Sequence, residues 1–204
     1  MDTEHEFDDR GYVRKWAETA DQRRPERVRM FQHIVALLQD LRTSAPNVLE
    51  LGCGPGALAE SVLSALPRAM YEGIDFSHPM LELAQERLAR FGARVRLWQC
   101  DLRCDDWSAR IAAQPHAIIT NQALHDLGST EAVETVYKAA FALLSAGGLF
   151  VNAELVVAPG AQANKPAKLP VERHLAMLTA IGFADVRTDL EFGEYVAIAA
   201  RRPG

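Results

Sequence analysis

Three glycines at alternate positions, Gly52, Gly54 and Gly56, stand between an apolar run at residues 48–51 and a stretch from residue 57 whose apolar residues recur at helical spacing. Glycine is required where a backbone turns with positive φ or approaches a ligand with no Cβ between them. An ordinary strand-to-helix turn needs one such residue; three in alternation predict a loop that holds a ligand. A dinucleotide loop reads G-x-G-x-x-G and offers a pyrophosphate to a helix N-terminus. Here the order is Gly-Cys-Gly-Pro-Gly-Ala, with Glu50 just ahead of it.

The elements that must position this loop follow from periodicity. Tyr12, Val13 and Trp16 mark a short amphipathic helix, after a polar, acidic stretch at residues 1–9 that reads as frayed. A second helix is predicted over 25–42, where Val28, Phe31, Ile34, Val35, Leu38 and Leu41 recur on one face. Strands are predicted at 47–51, 70–75, 94–100, 117–120, 149–156, 184–189 and 194–201. Helices fall at 57–66, 79–91, 131–145 and 170–180, the third ended by Gly147-Gly148 in its C-terminal cap. Residues 158–170 read as a surface loop. Alternating strands and helices imply an α/β fold, a doubly wound, mostly parallel sheet covered on both faces. Only residues 191–193 separate the last two of the seven strands, so these form an antiparallel hairpin at one side.

The glycine spacing, with the residues around it, resembles motif I of the class I S-adenosylmethionine (SAM) dependent methyltransferases, [VIL]-[LVD]-[DE]-[LIV]-G-x-G-x-G. Val48-Leu49-Glu50-Leu51-Gly52-Cys53-Gly54-Pro55-Gly56 fits every position. The resemblance extends over about residues 46–201. It implies a Rossmann-like SAM-binding domain at 46–204 under an N-terminal helical cap at 1–45, and an inserted antiparallel last strand. It implies that Asp75 accepts from both ribose hydroxyls, a role suited to the two oxygens of a carboxylate. Asp101 then accepts from the adenine amino group, with the Leu102 amide at the ring, although helix capping is an alternative for Asp101. Phe76, Met80 and Leu102 either flank adenine or belong to the core. Glu50, Cys53 and Asn121 complete the expected cofactor site.

Thr120-Asn121-Gln122-Ala123-Leu124-His125-Asp126-Leu127 resembles motif IV in the form N-x-x-L-H-H-L or N-x-x-L-H-W-L, with Asp126 in place of the second His or aromatic residue. The N-P-P-Y and D-P-P-Y tetrads of enzymes that methylate nucleic-acid amino groups are absent. The expected acceptor is therefore O, N or C of a small molecule. In methyl transfer the protein mainly aligns the reacting atoms and excludes water, and a base is needed only for an acceptor proton of high pKa. His125 is the candidate base, oriented by Asp126 or another carboxylate; the alternative is a histidine that packs against the cofactor or bonds to backbone. Four further residues are candidate substrate contacts. Tyr12 and Trp16 form an aromatic lid or simply pack on the core. Glu154 is a contact or a solvated carboxylate, and His174 faces the acceptor pocket from its helix. His5, His33, His78 and His116 read as surface or helix-end residues. No metal ligand set is expected.

Composition narrows the classes. With 204 residues and 49% hydrophobic content, one core can form, and a net charge of −5 makes nucleic acid a poor first guess for the substrate. Arg23, Arg24, Arg27 and Arg29, offset by Glu18, Asp21 and Glu26, read as a solvated helix face. Cys53, Cys100 and Cys104 form no C-x-x-C pair, and the start Met-Asp-Thr-Glu-His-Glu is unlike a secretory leader, so a cytoplasmic protein with reduced thiols is expected. Packing for Cys100 and a loop for Cys104 are the expected roles. No run of 18 apolar residues suggests a membrane span. A catalytically silent SAM-binding regulator, a tRNA-directed methyltransferase and an NAD-binding oxidoreductase remain alternatives.

Overall fold

A computed structural model describes residues 6–158, 161–163, 165 and 167–204. Seven strands, β1 (Asn47–Leu51), β2 (Met70–Asp75), β3 (Val95–Gln99), β4 (Ala117–Asn121), β5 (Leu149–Leu155), β6 (Ala184–Phe192) and β7 (Tyr195–Arg201), form one sheet in the order β3-β2-β1-β4-β5-β7-β6. Pairing is parallel from β3 through β5. The last strand, β7, runs antiparallel to both β5 and β6, because the two-residue turn at Gly193 (φ 60°) and Glu194 leaves no length for a crossover. The predicted doubly wound sheet with an antiparallel hairpin is thus the observed one.

Six helices of eight or more residues accompany the sheet among the described residues: α1 (Arg10–Arg23), α2 (Glu26–Gln39), α3 (Ala57–Ala65), α4 (His78–Leu88), α5 (Thr130–Leu143) and α6 (Val171–Ile181). Strand residues alternate between two cores. Val48, Ile119 and Val151 pack with Met30 and Ile34 of α2, Leu58 and Val62 of α3, and Ala84 and Leu88 of α4. Leu49, Ile118 and Phe150 pack with Val133 and Tyr137 of α5 and Met177 and Leu178 of α6. Strand order reverses between β1 and β4, and the crevice beyond their carboxyl ends is where ligands bind in such sheets.

Several local expectations are corrected. α1 spans 14 residues rather than the short stretch around Trp16; among its described side chains only Val13 and Ala20 are buried, so its apolar period fades after the first turns. Asp9 caps it, accepting from the Tyr12 amide at 2.6 Å. α5 ends before the glycine pair: Leu144 is already extended, and Gly147 (φ 71°) serves the following turn, its amide bonded to the Arg202 carbonyl. Ala167 and Leu169 are buried in the core, so the segment after β5 is not wholly a surface loop. Parts of that segment, and residues 1–5 with the expected fraying and His5, lie outside the described residues.

Candidate active site

The glycine loop is clipped to the end of β2. The Cys53 amide donates to the Ile74 carbonyl at 2.9 Å, and the Gly54 amide donates to Oδ2 of Asp75 at 2.7 Å. The other Asp75 oxygen accepts from the Ser77 amide at 2.9 Å. Each oxygen keeps a further lone pair, and the carboxylate lines a cavity of about 1050 Å³ counted to its open mouth. Burial pushes the Asp75 carboxyl up to about 6, against the pull of the amides that bond it. A Cβ added at Gly54 would meet nothing within 4 Å, so that turn leaves open space for a ligand. Gly56 does not line the cavity; its φ of 76° starts α3, and a Cβ there would press on Ala84.

Ten of the eleven expected cofactor residues converge on this cavity: Glu50, Gly52, Cys53, Gly54, Asp75, Phe76, Met80, Asp101, Leu102 and Asn121, all but Gly56. Glu50 is buried and accepts from the Tyr71 hydroxyl at 2.7 Å. Burial raises its carboxyl to about 8; the Tyr71 bond opposes this and the Asp75 charge adds to it. The Asp101 carboxylate accepts from the amide and Nε of Arg103, each at 2.9 Å, so it shapes its own turn and holds a guanidinium that also lines the cavity. Asn121 accepts from the Tyr195 hydroxyl.

Periodicity left the roof largely unread. Phe7, Trp16, Arg27 and Phe31 close the cavity from the N-terminal side. Ser77 ties this segment down: it donates to the Phe7 carbonyl at 2.6 Å while capping α4. Arg27 is 4% exposed, its guanidinium carbon 5.3 Å from the Phe31 ring centre and 5.6 Å from that of Trp16, which corrects the solvated-face reading. The signal was there: positions 27, 31, 34 and 38 form one helical stripe, all buried. Tyr12 is a correction too, 37% exposed with its ring against Phe7 and off the cavity wall.

The remaining candidates turn away from the cavity. Glu154 is fully buried, neither solvated nor at the cavity wall, and binds Nδ1 of His125 at 2.6 Å. This carboxylate draws the His125 ring behind the wall, so the histidine does not line the cavity as expected; its Nε2 lies 3.4 Å from Oδ2 of Asp126, which does. Burial lowers the His125 pKa, yet the Glu154 charge and hydrogen bond outweigh it and leave the imidazole above its ordinary value. Burial likewise opposes ionisation of Glu154, and His125 reverses that and holds the carboxyl low. His174 is also buried and off the cavity, because its Nδ1 is engaged by the Tyr137 hydroxyl at 2.7 Å. His33 is half-buried against Asp189 at 2.9 Å, and His116 accepts from the Asn47 amide. Cys100 packs in the core and Cys104 is exposed, as expected.

Comparison with known proteins agrees with this geometry. Residues 48–148 match the family described as "Methyltransferase domain". The chain is 32% identical over 116 residues to ribosomal RNA small subunit methyltransferase C of Shewanella piezotolerans, covering 56% of this chain and 32% of that one. It is 32% identical over 107 residues to trans-aconitate 2-methyltransferase of Paracidovorax citrulli, covering 52% and 38%. The matches thus span about a third of those relatives' own length. Among solved structures, PigF with SAH superposes with a TM-score of 0.75 at 16% identity, over 98% of this chain and 61% of that one. The sheet has the Rossmann-like methyltransferase fold, and residues 48–148, about half of the chain, carry a methyltransferase domain.

Proposed function

We propose that this chain binds SAM and transfers its methyl group to O, N or C of a small molecule, releasing S-adenosylhomocysteine (SAH). One observation carries the reading: the Asp75 carboxylate, fixed by the Gly54 and Ser77 amides, faces the same cavity as the glycine loop. Its spare lone pairs suit the two ribose hydroxyls. Asp101 and Leu102 meet the adenine, flanked by Phe76 and Met80, while Glu50, Gly52, Cys53, Gly54 and Asn121 surround the amino-acid end. Gly56 contributes through the turn it makes. SAM, when bound, supplies an electrophilic methyl carbon on a sulfonium.

Residues 1–45 serve as a cap over a cofactor domain at 46–204. Phe7, Trp16, Arg27 and Phe31 exclude water from the cavity and bound a space sized for a small acceptor, in which alignment supplies most of the catalysis. Asp126 is the carboxylate of the loop after β4 at that wall, with His125 behind it. Three unpaired thiols suit a reducing, cytoplasmic setting, and among the described residues no helix is long and apolar enough to cross a membrane.

The test is transfer of labelled methyl from SAM to a panel of phenols, amines, carboxylic acids and enols, alongside bulk tRNA and ribosomal RNA. Label in a small product is expected. Label in RNA alone would overturn the small-molecule reading, and SAM binding with no transfer to any member would favour a silent regulator.

A further inference from the structure

The loop that follows β4 is tied down from behind by one carboxylate. Four donors converge on Glu154: the amides of Leu124 and His125 on Oε2 at 2.8 and 3.2 Å, and the Leu155 amide and His125 Nδ1 on Oε1 at 2.7 and 2.6 Å. Glu154 is 0% exposed. A buried carboxylate persists when its lone pairs are filled, and three amides with the His125 ring nitrogen fill them. The same loop carries Ala123, Asp126 and Leu127 to the cavity wall, and Ala123 sits directly against Gly52 of the glycine loop.

We infer that Glu154 is a positioning residue: by holding His125 as a buried imidazolium it fixes the loop after β4, and with it the Asp126 carboxylate presented to the methyl acceptor. The last clause rests on the methyltransferase reading; the ion pair does not. The charged groups facing His125 are Glu154 from β5, Asp126 beside it in the loop, and Lys165, which pairs with Asp126 from the far side. Tyr137 of α5 and His174 of α6 stand behind Glu154, and burial keeps His174 below its ordinary value. Among the described residues, His125 is the basic side chain bonded directly to Glu154.

The experiment follows the ring of His125 by NMR in the histidine-labelled full-length chain, together with amide exchange at Leu124 and His125 and calorimetric binding of SAH. The wild-type ring should stay protonated to a pH above that of a free histidine side chain. In Glu154→Gln its midpoint should fall by at least one pH unit, a tenfold loss of proton affinity, and the two amides should exchange at least tenfold faster. Asp126→Asn, which leaves the Glu154 contact in place, should lower the midpoint by less. An unchanged midpoint in Glu154→Gln would overturn the inference; if that variant does not fold, a wild-type His125 that titrates like free histidine overturns it instead. Loss of SAH binding by the wild type would strike the methyltransferase reading alone, since the titration curves stand without it.

Discussion

Gly52 and Ala123 touch across the switch point of the sheet: a Cβ added at Gly52 would stand 2.4 Å from the Cβ of Ala123. The glycine loop after β1 and the loop after β4 are therefore packed against each other where they border the cavity. Gly52 also holds a φ of 69°, in the left-handed region that favours glycine. Both loops must shift to admit a side chain. Gly52→Ala is expected to destabilise the protein by about 1–3 kcal/mol, through strain and overlap. It should also reduce SAH binding at least tenfold. Urea unfolding and calorimetry check this, and a variant with wild-type stability and affinity would show that the contact does not matter.

Asp75 is the hinge of the cofactor assignment. Asp75→Ala removes the oxygens that face the cavity and releases the Gly54 and Ser77 amides. Loss of charge-assisted bonds of this kind costs about 1.5–3 kcal/mol, so SAH affinity should fall by roughly ten- to a hundredfold. Unchanged affinity, measured by calorimetry, would refute the ribose role.

Stability should fall as pH rises from about 5.5 to about 8.5. Burial holds the Asp75 carboxyl at about 6 and the Glu50 carboxyl at about 8 in the fold, both above their ordinary values. An acid raised in this way favours its neutral form in the native state, so ionisation costs stability once the pH exceeds the unfolded value, fully so above the folded one. Most of the Asp75 contribution is lost by about pH 6; for Glu50 the span from pH 5.5 to about 8, roughly 2.5 units, corresponds to about 3 kcal/mol. His125 acts in the same direction: its raised pKa stabilises fully below the ordinary histidine value and is lost as pH rises through the folded one. Glu154, held low by His125, opposes this only below the ordinary carboxylate range. A lower Tm of the ligand-free protein at pH 8.5 than at pH 5.5, by about 5 °C or more, is the expected result. A level or rising Tm would contradict the buried-carboxyl account.

Much of the fold was legible because its signals are local. Strand-like runs of four to eight residues, the alternating glycines, and the short link between β6 and β7 each speak within a few positions, and together they determine a doubly wound sheet. The convergence of Glu50, Gly52, Asp75, Asp101 and Asn121 on one cavity was legible for the same reason, since all sit at or next to predicted strand ends. Pairings between distant residues were not. Nothing near Glu154 in the chain indicates that His125, 29 positions earlier, will neutralise it, or that the pair will draw His125 off the cavity wall. Tyr71 on Glu50 and Tyr195 on Asn121 are hidden in the same way, as they depend on register across the sheet. Arg27 was misread for a different reason. A charged residue on an apolar stripe was counted with its charged neighbours in sequence, and only its helical phase with Phe31 and Ile34 tells that it is buried.

The central claim is that the Gly54–Asp75 arrangement holds SAM, and calorimetric titration of the purified protein with SAH, with NADH as the control, tests it most directly. Binding of SAH at micromolar affinity or tighter, with none for NADH, is the predicted result. No heat with SAH, or binding of NADH alone, would contradict the assignment of this cavity.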